Sequence, residues 1–350
     1  MTASDWNTKS TGNDSKELHP ILAGVEKFVV ETAIEYVQMD EAAVKYLAGE
    51  LVQASAAPPL SEMHWLAAAP AGVQLYFNQA SPRDIVRYLT IFHTIGFCYW
   101  GEPRWTYSSY GTSYDGSLAL LHSLRETLPS LLELSTAQAD RQKSQAAFTA
   151  CLGGRNVLNQ IEKRHQFFSD LLDLIEQGVA GKPLEDRLMQ EEEALAKAFW
   201  IGENLPGFAD MVPGKEGPIY FLKRAQILSS DIDFILRKRG HNGLSGVEKL
   251  TAFADYKLPQ LLREAGVLVY SEALSAAVDN QIELAAGSPQ EIAIRAQTIV
   301  AVEKLKEFMA LRGLKLTAAE TDNLLWLKAQ RQSEKHQTVR PYHRTLTHFY

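Results

Sequence analysis

Cysteine is nearly missing from this chain. Cys98 and Cys151 are the only two among 350 residues, and they stand far apart. Neither sits at a metal-ligand spacing, so a thiolate zinc site and a disulfide framework are both excluded, and a reducing, cytoplasmic setting is expected. Long apolar runs are missing too. No stretch approaches a membrane-spanning length, and the polar residues from Thr2 to Glu17 hold no signal-peptide core. Nor is there an excess of positive charge. The 35 basic and 42 acidic residues give a net charge of −7, which removes any general pull toward nucleic acid or an anionic membrane.

Short catalytic signatures are absent as well. There is no P-loop, no dinucleotide fingerprint, no His-Glu-x-x-His and no Gly-x-Ser-x-Gly. Cys151-Leu152-Gly153-Gly154-Arg155 reads as a helix end with an ordinary buried thiol. His93, inside an apolar run, reads as a core histidine. Metal catalysis and a Ser or Cys triad therefore find no support, and no cofactor is expected.

What the chain has is helical periodicity. Apolar residues recur three and four apart from His19-Pro20 onward, after a tail (residues 1–18) whose Ser, Thr, Asn, Asp and Lys content predicts disorder. Ala57-Pro58-Pro59-Leu60 breaks the periodicity. Ser81-Pro82-Arg83-Asp84, Ser288-Pro289-Gln290-Glu291 and Thr317-Ala318-Ala319-Glu320 read as helix N-termini. Ser117 to Leu134 reads as a helix that Pro129 divides or kinks, and Leu184 to Phe199 as one helix with Glu191-Glu192-Glu193 on a solvated face. Asn204 to Phe208 and Val212 to Lys215 read as turns. Between helices lies an aromatic, Gly-containing stretch from Gly96 to Ser117; it reads either as a hairpin lining a pocket or as a buried loop plug. Leu258 to Ala276 reads as helix, Gly turn, helix. The expectation is a mainly α protein with at most a small β element: one helical domain over residues 19–350, in two closely packed lobes of about 19–200 and 201–350.

Two stretches put charge among apolar side chains. Lys223, Arg224, Asp231 and Asp233 stand with Phe221, Ile227 and Leu228, and Asp255 stands with Phe253 and Tyr256. Such charges are costly unless paired, so they form either a structural ion pair or a reactive centre. Carboxylates with a lysine and aromatic rings suit a flat substrate with N–H donors, and a carboxylate beside an anomeric carbon stabilises an oxocarbenium-like transition state. These parts alone reach as far as a nucleoside or sugar hydrolase.

Five stretches in order are more specific. They are Phe221-Leu222-Lys223-Arg224-Ala225-Gln226-Ile227-Leu228 with Asp231, Phe253-Ala254-Asp255-Tyr256-Lys257-Leu258-Pro259-Gln260, Gln290-Glu291-Ile292-Ala293-Ile294-Arg295, Asp322 with Trp326, and Pro341-Tyr342-His343-Arg344 to Tyr350. In this order the chain resembles the queuosine salvage protein family from about residue 20 to 350. It departs from that pattern at Gly96 and Gly116.

The resemblance implies a queuosine 5′-phosphate N-glycosylase that frees queuine, with a helical fold similar to helix-hairpin-helix DNA glycosylases and no metal or organic cofactor. Its partner would be a small nucleotide, with neither nucleic acid nor membrane. Carried over by position, Asp255 would be the catalytic carboxylate and Lys223 would hold it ionised or hold the phosphate. Asp231 and Asp322 would meet the base edge or ribose hydroxyls, and Phe253, Tyr256 and Trp326 would stack. His343, Arg344 and Tyr350 would take the 5′-phosphate. The two rival readings are a helix-hairpin-helix protein that binds or repairs DNA and a non-catalytic module that holds a 7-deazaguanine.

Overall fold

The computed structural model describes residues 19–54, 64–109, 111–134, 141–334 and 340–350. The tail expected over residues 1–18 and the break at Ala57-Pro58-Pro59-Leu60 lie outside the described residues. The remaining chain is mainly helical. The first half carries α1 (Pro20–Glu31), α2 (Glu41–Ala54), α3 (Ala71–Gln79), α4 (Pro82–Ile95), α5 (Gly116–Leu132), α6 (Arg141–Leu152) and α7 (Ile161–Gln177). The second half carries α8 (Leu184–Leu188), α9 (Ala194–Asn204), α10 (Lys223–Lys238), α11 (Lys257–Glu264), α12 (Glu272–Asp279), α13 (Pro289–Ala310) and α14 (Ala318–Glu334).

The helix starts are built as the residue types dictate. Ser81 and Ser288 each accept the backbone N–H three residues on, with proline in the first turn. Thr317 and Glu320 form a reciprocal capping box: Glu320 accepts from the Thr317 N–H at 2.8 Å, and Thr317 Oγ1 from the Glu320 N–H at 3.2 Å. Pro129 sits inside α5 without ending it.

The strands form three two-stranded antiparallel ribbons. β1 (Val37–Met39) pairs with β6 (Leu268–Tyr270), β2 (Thr106–Ser109) with β3 (Thr112–Asp115), and β4 (Met211–Gly214) with β5 (Gly217–Tyr220). The β2–β3 ribbon is the hairpin expected in the aromatic stretch. The β4–β5 ribbon replaces a plain turn at Val212 to Lys215, and its register sets Pro213 opposite Pro218, a pairing that a two-stranded ribbon tolerates. The helices at Leu258 to Ala276 are present and Gly266 takes φ +72, but the link between them is β6 rather than a bare turn.

Leu184 to Phe199 is two helices, not one. Glu192 lies between them and binds Lys197 at 2.8 Å and Arg187 at 2.7 Å, while Glu193 pairs with Lys249 at 3.0 Å. The acidic triplet is a junction held by cations and not simply a solvated face.

Two helices carry the core. α13 is buried on every side from Ile292 to Ile299 and packs against α1, α2, α11 and α14. α4 is buried through most of Ile85–Ile95, more than the single apolar face its periodicity suggests, and lies against α5, α7, α8 and α10. Its last carbonyls are held by two buried arginines. Arg164 of α7 donates to the carbonyls of Ile95, Phe97, Cys98 and Asn159. Arg224 of α10 donates to those of His93, Thr94 and Gly207. Burial lowers both guanidinium pKa values, to about 10 and about 9, yet both stay charged at neutral pH and satisfy a helix end rich in unpaired carbonyls.

Candidate active site

The end of α4 and the start of α10, packed together, both line a cleft of about 1310 Å³, open mouth included. α10 starts from a sharp turn. Leu222 adopts the left-handed conformation at φ 49, and the N–H groups of Phe221 and Leu222 both donate to the Asp210 carbonyl. The Lys223 N–H then donates to Asp210 Oδ2 at 2.9 Å. This turn aims the Lys223 side chain into the cleft, where Asp255 stands opposite with Oδ2 at 4.0 Å from Lys223 Nζ.

Asp255 is held asymmetrically. Oδ1 accepts from the N–H groups of Lys257 at 2.7 Å and Leu258 at 3.1 Å, the first donors of α11. That leaves Oδ2 as the oxygen available to a substrate. A buried bridge fixes the two residues relative to each other. Arg295 donates to both oxygens of Asp210, at 2.9 and 2.6 Å, and also to the Ala254 carbonyl at 3.1 Å. One guanidinium thus ties the start of α10 to the residue before Asp255. Planar two-point geometry of this kind is what arginine supplies and lysine does not.

Asp322 of α14 lies on the same wall and accepts the Phe253 N–H at 2.7 Å. Burial pushes its carboxyl up to about 7, and the charge of Asp255 adds to the rise; the single N–H donor and Lys223 oppose it without winning. Asp322 therefore holds its proton well above the usual carboxylate range.

Phe253, Tyr256 and Trp326 also line the cleft, so six of the ten residues singled out from sequence meet there. The other four do not line it. Asp231 is 1% exposed, and its carboxylate is used up by His64, Trp65 and His93 at 3.1, 2.8 and 2.7 Å. Burial alone would raise its pKa, but the two histidine hydrogen bonds bring it down to about 2. His343 and Tyr350 are buried beside each other. The Tyr350 hydroxyl donates to Glu291 at 2.9 Å, and the Arg295 guanidinium lies 4.5 Å from its ring, so the terminal tyrosine packs behind the Asp210–Arg295 bridge. Burial takes His343 down to about 3, which leaves it neutral and unsuited to an anion. Arg344 does not line the cleft; its guanidinium lies over the wall residue Trp100, 5.7 Å from the ring centroid.

Two further cations line the cleft instead. Arg104 and Lys257 line the cleft beside Tyr342. Arg104 pairs with Asp115 at 2.9 Å, while the Lys257 ammonium lies 5.2 Å from the Tyr342 ring and is depressed chiefly by burial. Lys257 sits two residues from Asp255 in a stretch already singled out, so its signal was present. Arg104 carried none. His93 also reaches the cleft.

The ends of the aromatic stretch, Gly96 with Tyr99 and Trp100 and then Asp115 to Ser117, line the cleft, and of the β2–β3 hairpin only Asp115, its last residue, does so. Both glycine departures therefore fall on the pocket wall. At Gly96 a Cβ would stand 2.5 Å from the Phe92 carbonyl oxygen and 2.9 Å from the Tyr99 hydroxyl, so this backbone accepts only glycine.

An aromatic-walled pocket with a carboxylate–ammonium pair and a neutral carboxyl is a small-molecule site suited to carboxylate-assisted chemistry on a planar ligand. Comparison with known proteins gives the lineage. The sequence model of the queuosine salvage protein family matches residues 76–350. The chain is 32% identical over 324 residues to a queuosine 5′-phosphate N-glycosylase/hydrolase of Sphaerobacter thermophilus, covering 92% of this chain and 95% of that protein. It is 28% identical over 267 residues to the protein of the same name from Dictyostelium discoideum, covering 75% and 78%. Against that of Bos taurus it is 25% identical over 347 residues, covering 93% and 97%. The chain belongs to the queuosine salvage protein family.

Proposed function

We propose that this protein hydrolyses the N-glycosidic bond of queuosine 5′-phosphate and releases queuine. The observation that carries the reading is Asp255, with one oxygen locked by two backbone N–H groups and the other turned to the cleft 4.0 Å from Lys223. Its relatives' shared name supports the choice of substrate.

In this mechanism the bond from C1′ to the base breaks first, and its electron pair leaves with the base. The sugar becomes oxocarbenium-like, and the free oxygen of Asp255 faces that positive charge. Asp255 then accepts a proton from the water whose oxygen bonds to C1′ and yields it to solvent, and solvent returns a proton to the ring nitrogen of the departed base. The Lys223 ammonium stands 4.0 Å from the Asp255 carboxylate and pairs with it. The departing 7-deazapurine has no N7 lone pair, so protonation at that position is closed to it. Asp322, neutral up to about pH 7, donates a hydrogen bond to another acceptor of the ring as charge builds there. Phe253, Tyr256 and Trp326 stack on the base. The 5′-phosphate dianion falls to Lys257 and Arg104, the remaining cations that line the cleft.

Incubation with queuosine 5′-phosphate, followed by chromatography, tests the reading. Free queuine and ribose 5-phosphate are the expected products. Tight nucleotide binding with no product, under conditions where the folded protein is stable, would replace the enzyme with a non-catalytic binding module.

A further inference from the structure

His93 is 4% exposed, yet it lines the cleft. Its Nε2 lies 2.7 Å from Asp231 Oδ2. The other Asp231 oxygen takes the indole N–H of Trp65 at 2.8 Å and contacts His64 Nε2 at 3.1 Å. An ionised carboxylate only accepts, so the proton of the His93 ring sits on Nε2 and Nδ1 carries a bare lone pair. No described residue hydrogen-bonds His93 Nδ1. Burial lowers the His93 pKa against the pull of Asp231, so the ring is neutral at neutral pH.

A fixed acceptor in an aromatic-walled cleft selects for a planar ligand that presents an N–H. We propose that His93 is a specificity-determining residue that accepts a ring or exocyclic N–H of the substrate's base, and that Asp231 is a positioning residue that locks the imidazole in the accepting tautomer. The inference rests on the cleft being the seat of a 7-deazaguanine-type base. It returns Asp231 to substrate recognition, but at one remove.

The test uses the full chain and two probes, 7-deazaguanine and an analogue methylated at N1 and doubly at the exocyclic nitrogen. His93→Phe is expected to weaken the first about tenfold or more, the worth of one buried hydrogen bond, and to leave the second unchanged. His93→Asn, which offers an amide oxygen near the place of Nδ1, restores most of the affinity for 7-deazaguanine. Asp231→Asn still accepts from Trp65, but its amide can donate to His93 Nε2 and drive the proton to Nδ1. Nitrogen chemical shifts of the imidazole should report that exchange, together with selective loss of 7-deazaguanine binding. This variant also covers the case in which His93→Phe fails to fold. Equal loss of both probes, or loss of neither, overturns the proposal. Failure of the hydrolytic reading looks different, since the wild-type protein would then release no queuine whatever the His93 variants bind.

Discussion

Two buried carboxyl groups on the walls of this protein behave in opposite ways. Asp231 and Asp322 are 1% and 5% exposed, and burial pushes each toward the neutral form. Asp231 meets two imidazoles and an indole N–H, and falls to about 2. Asp322 meets one backbone N–H and a like charge on Asp255, and rises to about 7. Burial alone does not decide the charge of a carboxyl; the donors and charges around it decide whether burial wins. The carboxylate of lower pKa stands behind the cleft wall against His93, while the one of raised pKa lines the cleft itself.

The largest effect that would sharpen this comparison lies at the residue coupled to one side of it. Asp255→Asn should lower kcat by about 10³-fold or more while nucleotide binding stays measurable by calorimetry. It also removes the negative neighbour of Asp322, whose pKa should then fall. An active Asn variant would end the assignment.

Next in size is Asp322→Asn, expected to cost about 10²-fold in kcat and to erase a rate decline that the parent shows above about pH 7. The same variant tests stability. The folded pKa of Asp322 lies above its unfolded value, so its contribution is complete in acid below about 4 and fades as pH rises through about 7. The Tm of the Asn variant should therefore gain on the parent between pH 4 and 8. A constant gap would contradict a raised pKa.

Breaking the Asp210–Arg295 bridge probes how rigidly the two carboxyl regions are held. Arg295→Met leaves Asp210 buried and unpaired, at a cost of about 3–5 kcal/mol by urea denaturation. Arg295→Lys should fold better and still lose turnover more than affinity, because Lys223 and Asp255 drift apart. A parent-like kcat in the lysine variant would remove the bridge from catalysis.

The smallest effect belongs to Asp231. Its folded pKa is depressed, so its stabilisation is present above about pH 4 and is lost as pH falls through about 2. Asp231→Asn should be less stable than the parent by about 1–3 kcal/mol at pH 6, with the gap closing near pH 2. A gap that persists in acid would mean that the loss is one of shape and not of charge.

Local signals were legible in the sequence where neighbours decide the structure. The caps at Ser81, Ser288 and Thr317 and the 106–115 hairpin follow from adjacent residue types. Lys223 and Asp255 were legible through ordered motifs, and the cleft brings them together. Asp231 was not. Its donors come from 138, 166 and 167 residues away, so nothing near it in the chain indicates that its lone pairs are taken. The strands β1 and β6 were unreadable for a like reason. Each is three residues long, and each exists because of the other across the whole chain. The break at Glu191-Glu192-Glu193 depends partly on Lys249, which periodicity cannot see.

The two arginines at the end of α4 carry a consequence for how the pocket comes into being. Their hydrogen bonds join segments that lie 66 to 69 and 130 to 131 residues apart, and burial leaves no water to substitute for them. The wall bearing His93, Gly96 and Tyr99 can close only when α7 and α10 have both arrived. A chain in mid-assembly thus offers no half-made pocket in which a nucleotide could lodge. Occupancy of the cleft becomes a report of finished folding, and nucleotide added to a refolding chain should raise the final yield without hastening the early steps.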